Sequence, residues 1–223
     1  MIIFQNNSFL VINKPAGISF QGEENSFLSQ LKQQLQCELY PVHRLDKITS
    51  GITVVAKTPE ANSELSQLFQ AREVSKIYLA LSDVKPKKKQ GLVKGDLEKS
   101  RNGSWKLSRS VDNPSITQFF SFPAESGVRL CVLKPSTGKT HQLRVVMKSL
   151  GASILGDKRY GGSDADRGYL HAYELAFKFR GEDFCWRALP EEGKHWPQQV
   201  PDLQSLNWPK LNLGRERVAG GKK

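Results

Sequence analysis

Apolar positions along the chain recur with two periods, one near 3.6 residues and one of two. Phe9-Leu-Val-Ile12 is a short apolar run stopped by Lys14-Pro15-Ala-Gly17, which predicts a strand ended by a turn. Phe27, Leu28, Leu31 and Leu35 fall on one face of a helix beginning near Asn25. Ile52 to Ala56 is β-branched and strand-like, and Pro59 opens a helix carrying Ala61, Leu65, Leu68 and Phe69 on one side. From Val74 to Leu81 the pattern alternates, with Ile77, Leu79 and Leu81 on one face and Tyr78 on the other. Ile116–Phe122 and Gly127–Leu133 predict a strand pair around a turn at 123–127. Leu143, Val146, Met147 and Leu150 predict a helix stopped by Gly151, and two later strands are expected at Tyr173–Phe179 and Phe184–Ala188.

Strands outnumber helices and do not alternate strictly with them. That predicts an α+β fold, a mixed and largely antiparallel central sheet with flanking helices. There is no internal repeat and no long linker, so residues 1–212 read as one domain and 213–223 as a basic, flexible tail.

The 223 residues are 38% hydrophobic and 25% charged, a globular balance. No apolar run reaches the roughly 18 residues of a membrane span, and the first 20 residues lack the pattern of a secretory signal. Cys37, Cys131 and Cys185 are odd in number and share no CxxC spacing, so idle thiols in a reducing cytoplasm are expected. His43, His141, His171 and His195 show no i, i+4 pairing, so no metal is expected.

Charge changes the picture more. Thirty-three Lys and Arg against 22 Asp and Glu give a net charge of +11, which points to a polyanionic partner, above all nucleic acid. Between Lys85 and Arg109 nine basic residues, among them Lys87, Lys88 and Lys89, meet only Asp96 and Glu98, a local excess of +7. This run is either a solvated loop or an extended hairpin, carrying Trp105, that lies along phosphates.

Three segments invite chemical readings. Lys134-Pro-Ser-Thr-Gly-Lys-Thr140 looks like a phosphate loop, but Leu133 stands where that loop needs glycine and Pro135 removes an amide, so the reading fails. Asp164 and Asp166, in a Gly-Ser loop, read as surface carboxylates rather than a metal pair. His43-Arg44-Leu45-Asp46-Lys-Ile-Thr49-Ser50-Gly51 puts two cations and a carboxylate in a tight loop before a strand. A carboxylate beside arginine stays ionised, and can be a nucleophile or merely an anchor for the loop.

That nonapeptide resembles the signature of the RluA-type pseudouridine synthases. Other segments match in order: Lys14-Pro-Ala-Gly17, Lys76-Ile-Tyr78, Thr137-Gly-Lys-Thr-His-Gln-Leu-Arg144, Ile154-Leu-Gly-Asp157 with Tyr160-Gly161, and Leu170-His-Ala-Tyr-Glu-Leu-Ala-Phe177. The resemblance spans roughly residues 9 to 180. It implies the pseudouridine synthase fold and the isomerisation of uridine to pseudouridine in structured rRNA or tRNA, with no cofactor and no metal. Asp46 matches the aspartate that acts as the base–ribose bond is cleaved, whether by nucleophilic attack or through a glycal. Tyr78 matches the tyrosine that stacks on the base and helps remove the proton from carbon 5, and Arg144 the arginine that pairs with the aspartate.

The resemblance also implies that Leu143 packs the pocket floor and that Arg44 fills the gap left by the flipped nucleotide; His43 is assigned to supporting the loop. Two departures concern RNA contact: Lys139 stands where arginine is usual, and Val146-Met147 where histidine often follows Arg-Val. Many relatives carry an N-terminal S4 domain; here the basic 85–109 segment and the tail are expected to supply RNA affinity instead. A monomer is expected. The rival reading is a non-catalytic RNA-binding or folding factor on the same scaffold, and a nucleotidase comes third.

Overall fold

The computed structural model describes residues 1–203 and 205–208. Twelve strands and three helices are formed by these residues: β1 Ile2–Gln5, β2 Phe9–Lys14, α1 Phe27–Leu35, β3 Tyr40–Pro41, β4 Thr49–Ala56, α2 Pro59–Gln70, β5 Ser75–Ser82, β6 Gln90–Gly95, β7 Leu97–Lys99, β8 Trp105–Leu107, β9 Ser115–Pro123, β10 Arg129–Pro135, α3 Gln142–Ser149, β11 Leu170–Phe179 and β12 Glu182–Arg187. The main sheet runs β1-β2-β4-β11-β5-β10-β9-β6, with β12 beside β11 and β3 beside β4. Within it the β4–β11 pair is parallel and every other pair antiparallel. The α+β reading therefore holds, with helices flanking a mixed sheet.

Side-chain parity explains how the helices pack. On β2, Leu10 and Ile12 point to one face and join Val55, Phe27, Leu28 and Leu31 under α1. Phe9 and Val11 point to the other, joining Ile52, Val54, Ala61 and Leu65 under α2. The third cluster sets α3, through Leu143, Val146 and Met147, on Leu79, Leu81, Leu130 and Val132 of β5 and β10. Caps fix the helix starts: Ser26 Oγ accepts from the Ser29 N–H, one residue later than the expected start near Asn25, and Thr58 Oγ1 accepts from Ala61 N–H ahead of Pro59. The expected strand at Gly127–Leu133 lies two residues later, because Gly127 takes φ 77° in a short 3-10 turn that joins β9 to β10.

The basic segment is not one long hairpin. β6 extends the main sheet as its edge beside β9, and β7 with β8 forms a separate two-stranded sheet. Sequence patterning also passes over β1 and β3. Val146 and Met147, named above as a departure affecting RNA contact, have no exposed surface and belong to the core. The expected tail at 213–223 lies outside the described residues.

Gly51 lies where β11 runs alongside β4, opposite Ala172. It has φ 110°, and a β-carbon there would stand 2.3 Å from the Ala172 carbonyl oxygen. Gly51→Ala therefore combines backbone strain with a clash against main chain, and is expected to lower unfolding free energy by about 3–5 kcal/mol. Its urea midpoint checks this; a value matching the wild type would contradict the packing.

Candidate active site

Three segments near the centre of the sheet deliver the predicted residues to one place. Asp46 lies in the loop entering β4, Tyr78 in the middle of β5, and Arg144 on α3, which follows β10. They line a cavity of about 510 Å³, together with His43, Arg44, Lys139 and Leu143. Lys87, Lys88 and Lys89 are not brought there; they are exposed in the loop before β6, where the Lys87 N–H bonds the Leu150 carbonyl at the end of α3.

Arg144 is the centre of the constellation. Its Nη1 donates to Asp46 Oδ2 at 3.3 Å. Its Nε and Nη2 donate in parallel to the two oxygens of Asp157, at 2.7 and 2.8 Å. This fork fixes the guanidinium plane, as only a bidentate pair can. Arg144 and Asp157 are buried while Asp46 keeps a quarter of its side chain exposed, so one partner anchors and the other faces the cavity. Burial opposes the arginine charge, but the Asp157 bond and then the Asp46 charge outweigh it, and the pKa stays above its usual value. The Asp157 turn is itself tightly built: a β-carbon on Gly156 would overlap the Arg167 carbonyl, and the Gly162 N–H returns to the Asp157 carbonyl at 3.0 Å.

Tyr160 lies across the same guanidinium, its ring centre 4.8 Å from Cζ. Its hydroxyl accepts the Trp105 N–H at 3.0 Å and lies 2.8 Å from His141 Nδ1. The hydroxyl and the imidazole therefore share one hydrogen bond beside the guanidinium. Burial is the largest cause holding His141 below its usual pKa, consistent with a neutral ring. Trp105 belongs to β8, and Arg159 Nη1 donates to the Asn102 carbonyl at 3.0 Å, so the β7–β8 hairpin docks on the wall of the cavity.

The Asp46 loop is held from behind. Lys14 Nζ, fully buried, donates to the Pro15 and Thr49 carbonyls at 2.8 and 2.9 Å, and the Gly17 N–H bonds the Lys47 carbonyl. The Lys14-Pro-Ala-Gly17 motif is thus a strap on the loop bearing the carboxylate. His43 serves the same loop: its Nε2 accepts the Val54 N–H at 3.2 Å while the ring stacks on Phe69 at 4.3 Å. Burial, then the nearby Lys76 charge, pushes its pKa down to about 3, which keeps it a neutral acceptor.

Burial, then the Asp46 charge, raises the Tyr78 pKa above its usual value, so its phenol stays protonated. The rejected phosphate loop proves to be a cavity wall, its turn closed by Gln142 Oε1 accepting from Thr137 Oγ1 and the Lys139 N–H. Lys139 Nζ reaches the Asn113 carbonyl. Asp164 pairs with Lys158 at the surface, and Asp166 takes the Tyr169 hydroxyl and the Lys194 N–H, which fits the structural reading of both.

Sequence reasoning gave no role to Asp157, Tyr160 or His141, although all three stand in the matching motifs. Lys76 and Arg72 also line the cavity and were passed over. For Lys76 a signal existed, since it alternates onto the same face of β5 as Tyr78.

Comparison with known proteins agrees with this geometry. Residues 8–149 match the family model described as RNA pseudouridylate synthase. An uncharacterized RNA pseudouridine synthase of Haemophilus influenzae is 48% identical over 200 residues, covering 87% of this chain and 89% of its own. The dual-specificity RNA pseudouridine synthase RluA of Salmonella typhimurium is 37% identical over 188 residues, covering 78% and 85% respectively. Among solved structures, human RNA pseudouridylate synthase domain containing 1 superposes with a TM-score of 0.72 at 27% identity, covering 84% of this chain and 82% of its own. The chain with Arg144 clamped between Asp157 and Asp46 belongs to the RNA pseudouridine synthase family, and is an RluA-type enzyme that isomerises uridine in RNA.

Proposed function

We propose that Asp46, Tyr78 and Arg144 carry the isomerisation, acting on a uridine flipped out of structured rRNA or tRNA. The observation that supports this best is the Asp46–Arg144–Asp157 chain at the cavity wall. The Asp46 carboxylate meets the ribose anomeric carbon as the N1–C1′ bond breaks. Uracil turns, bonds through carbon 5, and loses the carbon-5 proton while N1 gains one, so atoms balance and no cofactor is consumed. A carboxylate suits both steps, being ionised without an activating base and able to leave again.

Arg144 holds that carboxylate in aim, and Asp157 holds Arg144. The Tyr78 ring supplies a stacking face for the base; as a protonated phenol it is a weak base, which favours stacking as its main part. Arg44, exposed at the rim, fills the gap in the RNA stack, and Leu143 closes the floor. Lys139 and the Lys87–Lys89 run meet phosphates. The dual specificity in the Salmonella relative's name supports more than one RNA target. The protein acts as a cytoplasmic monomer on this reading.

Asp46→Asn is expected to slow pseudouridine formation in host rRNA and tRNA by about a thousandfold or more. RNA affinity should stay within about threefold, because binding rests on phosphate contacts. Mapping of modified uridines plus a filter-binding assay checks both; normal turnover in the Asp46→Asn variant would favour the non-catalytic RNA-binding reading.

Asp157→Ala leaves a buried guanidinium half-paired and is expected to cost about 3–5 kcal/mol in urea unfolding. It should also slow turnover under conditions where the variant is fully folded. Neutralising Lys87, Lys88 and Lys89 together should flatten the plot of log affinity against log salt by up to about 0.9 per lysine that meets a duplex phosphate. An unchanged slope returns that run to a solvated loop.

A further inference from the structure

Lys76 carries a charge that no described carboxylate answers. Its ammonium faces the cavity between the Phe69 ring, 5.6 Å from Nζ, and Gly138, where Nζ lies 3.7 Å from the site a β-carbon would occupy. Burial alone pulls its pKa down, with no acidic neighbour to raise it. An apolar residue at this place would pack against Phe69 and Val74 without desolvating an ion. A lysine kept at such a cost suits an anion that arrives from outside.

The position narrows that anion. Lys76 and Tyr78 stand two residues apart on one face of β5, roughly 7 Å along the strand. With Tyr78 stacked on the uracil, Lys76 stands beside the base on the same wall of the cavity. Uracil and ribose are neutral, so the negative groups a flipped nucleotide brings are its phosphates. We infer that Lys76 binds the backbone phosphate flanking the flipped uridine and so sets how far the nucleotide enters against Tyr78. Gly138, lacking a side chain, leaves that approach open. The inference rests on the cavity being the uridine pocket.

The test uses the full chain and a stem-loop RNA containing a mapped target uridine, with binding measured by anisotropy across a salt series. Lys76→Met is expected to raise Kd and KM about tenfold and to lower the slope of log affinity against log salt by about 0.7 to 0.9, one phosphate's worth. Turnover of bound RNA, kcat, should change less than about threefold, and Lys76→Arg should restore slope and KM. Lys76→Gln, read the same way, replaces the methionine variant if that one melts early. A wild-type slope in the neutral variants, or an arginine variant that behaves like methionine, overturns the phosphate contact. Binding needs no turnover, so the two readings separate. A slope that falls while the wild type isomerises no RNA sinks the enzymatic reading alone, whereas an active wild type with an unmoved slope sinks the Lys76 contact alone.

Discussion

A single guanidinium, buried and held by two carboxylates at once, is the constraint on which this structure turns. An arginine taken out of water must be matched in charge and in hydrogen bonds, and the Asp157 fork does most of that. The bond left over is directed at Asp46, on the open side of the cavity. The geometry divides labour between two acids of the same type. One is sealed; the other is partly exposed on the cavity.

Around this pair the fold supplies stiffness from three directions. Tyr160 covers the guanidinium face and ties it to β8, Lys14 straps the loop that carries Asp46, and the Asp157 turn has no room for a β-carbon at Gly156. The contacts of this site join segments far apart in sequence, so it behaves as a keystone of tertiary structure rather than as a local motif. The β7–β8 hairpin shares in it through a backbone N–H, which ties a basic surface element to the Tyr160 ring that backs Arg144.

Much of this was legible in the sequence, for physical reasons that also explain what was not. Strands β2, β4, β5 and β10 are buried and apolar, so their pattern is dense, and α1 and α2 add caps or proline at their starts. The edge strand β6 alternates exposed Gln90, Leu92 and Lys94 with half-buried Gly91 and Val93, and with two glycines among its six residues that pattern reads equally well as a solvated loop. Strand β3 has two residues, too short for any period. Asp46, Tyr78 and Arg144 came from the family resemblance, whereas Asp157 sits in a turn with no periodicity, and its fork to an arginine on α3 exists only in three dimensions. Lys76 was hidden differently: strand parity placed it beside Tyr78, but a lysine in a strand ordinarily points to bulk water, and only the cavity shows that this one is half-buried on its wall.

The parallel neighbour of β4 comes from late in the chain. β11 lies between β4 and β5, so the strands bearing the Asp46 loop and Tyr78 are not adjacent to each other; both are adjacent to a segment that begins only at Leu170. In the folded sheet, then, β4 and β5 are joined only through β11, which bonds to both. The shared cavity is in this sense a product of closure, because its two walls are tied together only through a strand supplied by the last quarter of the chain.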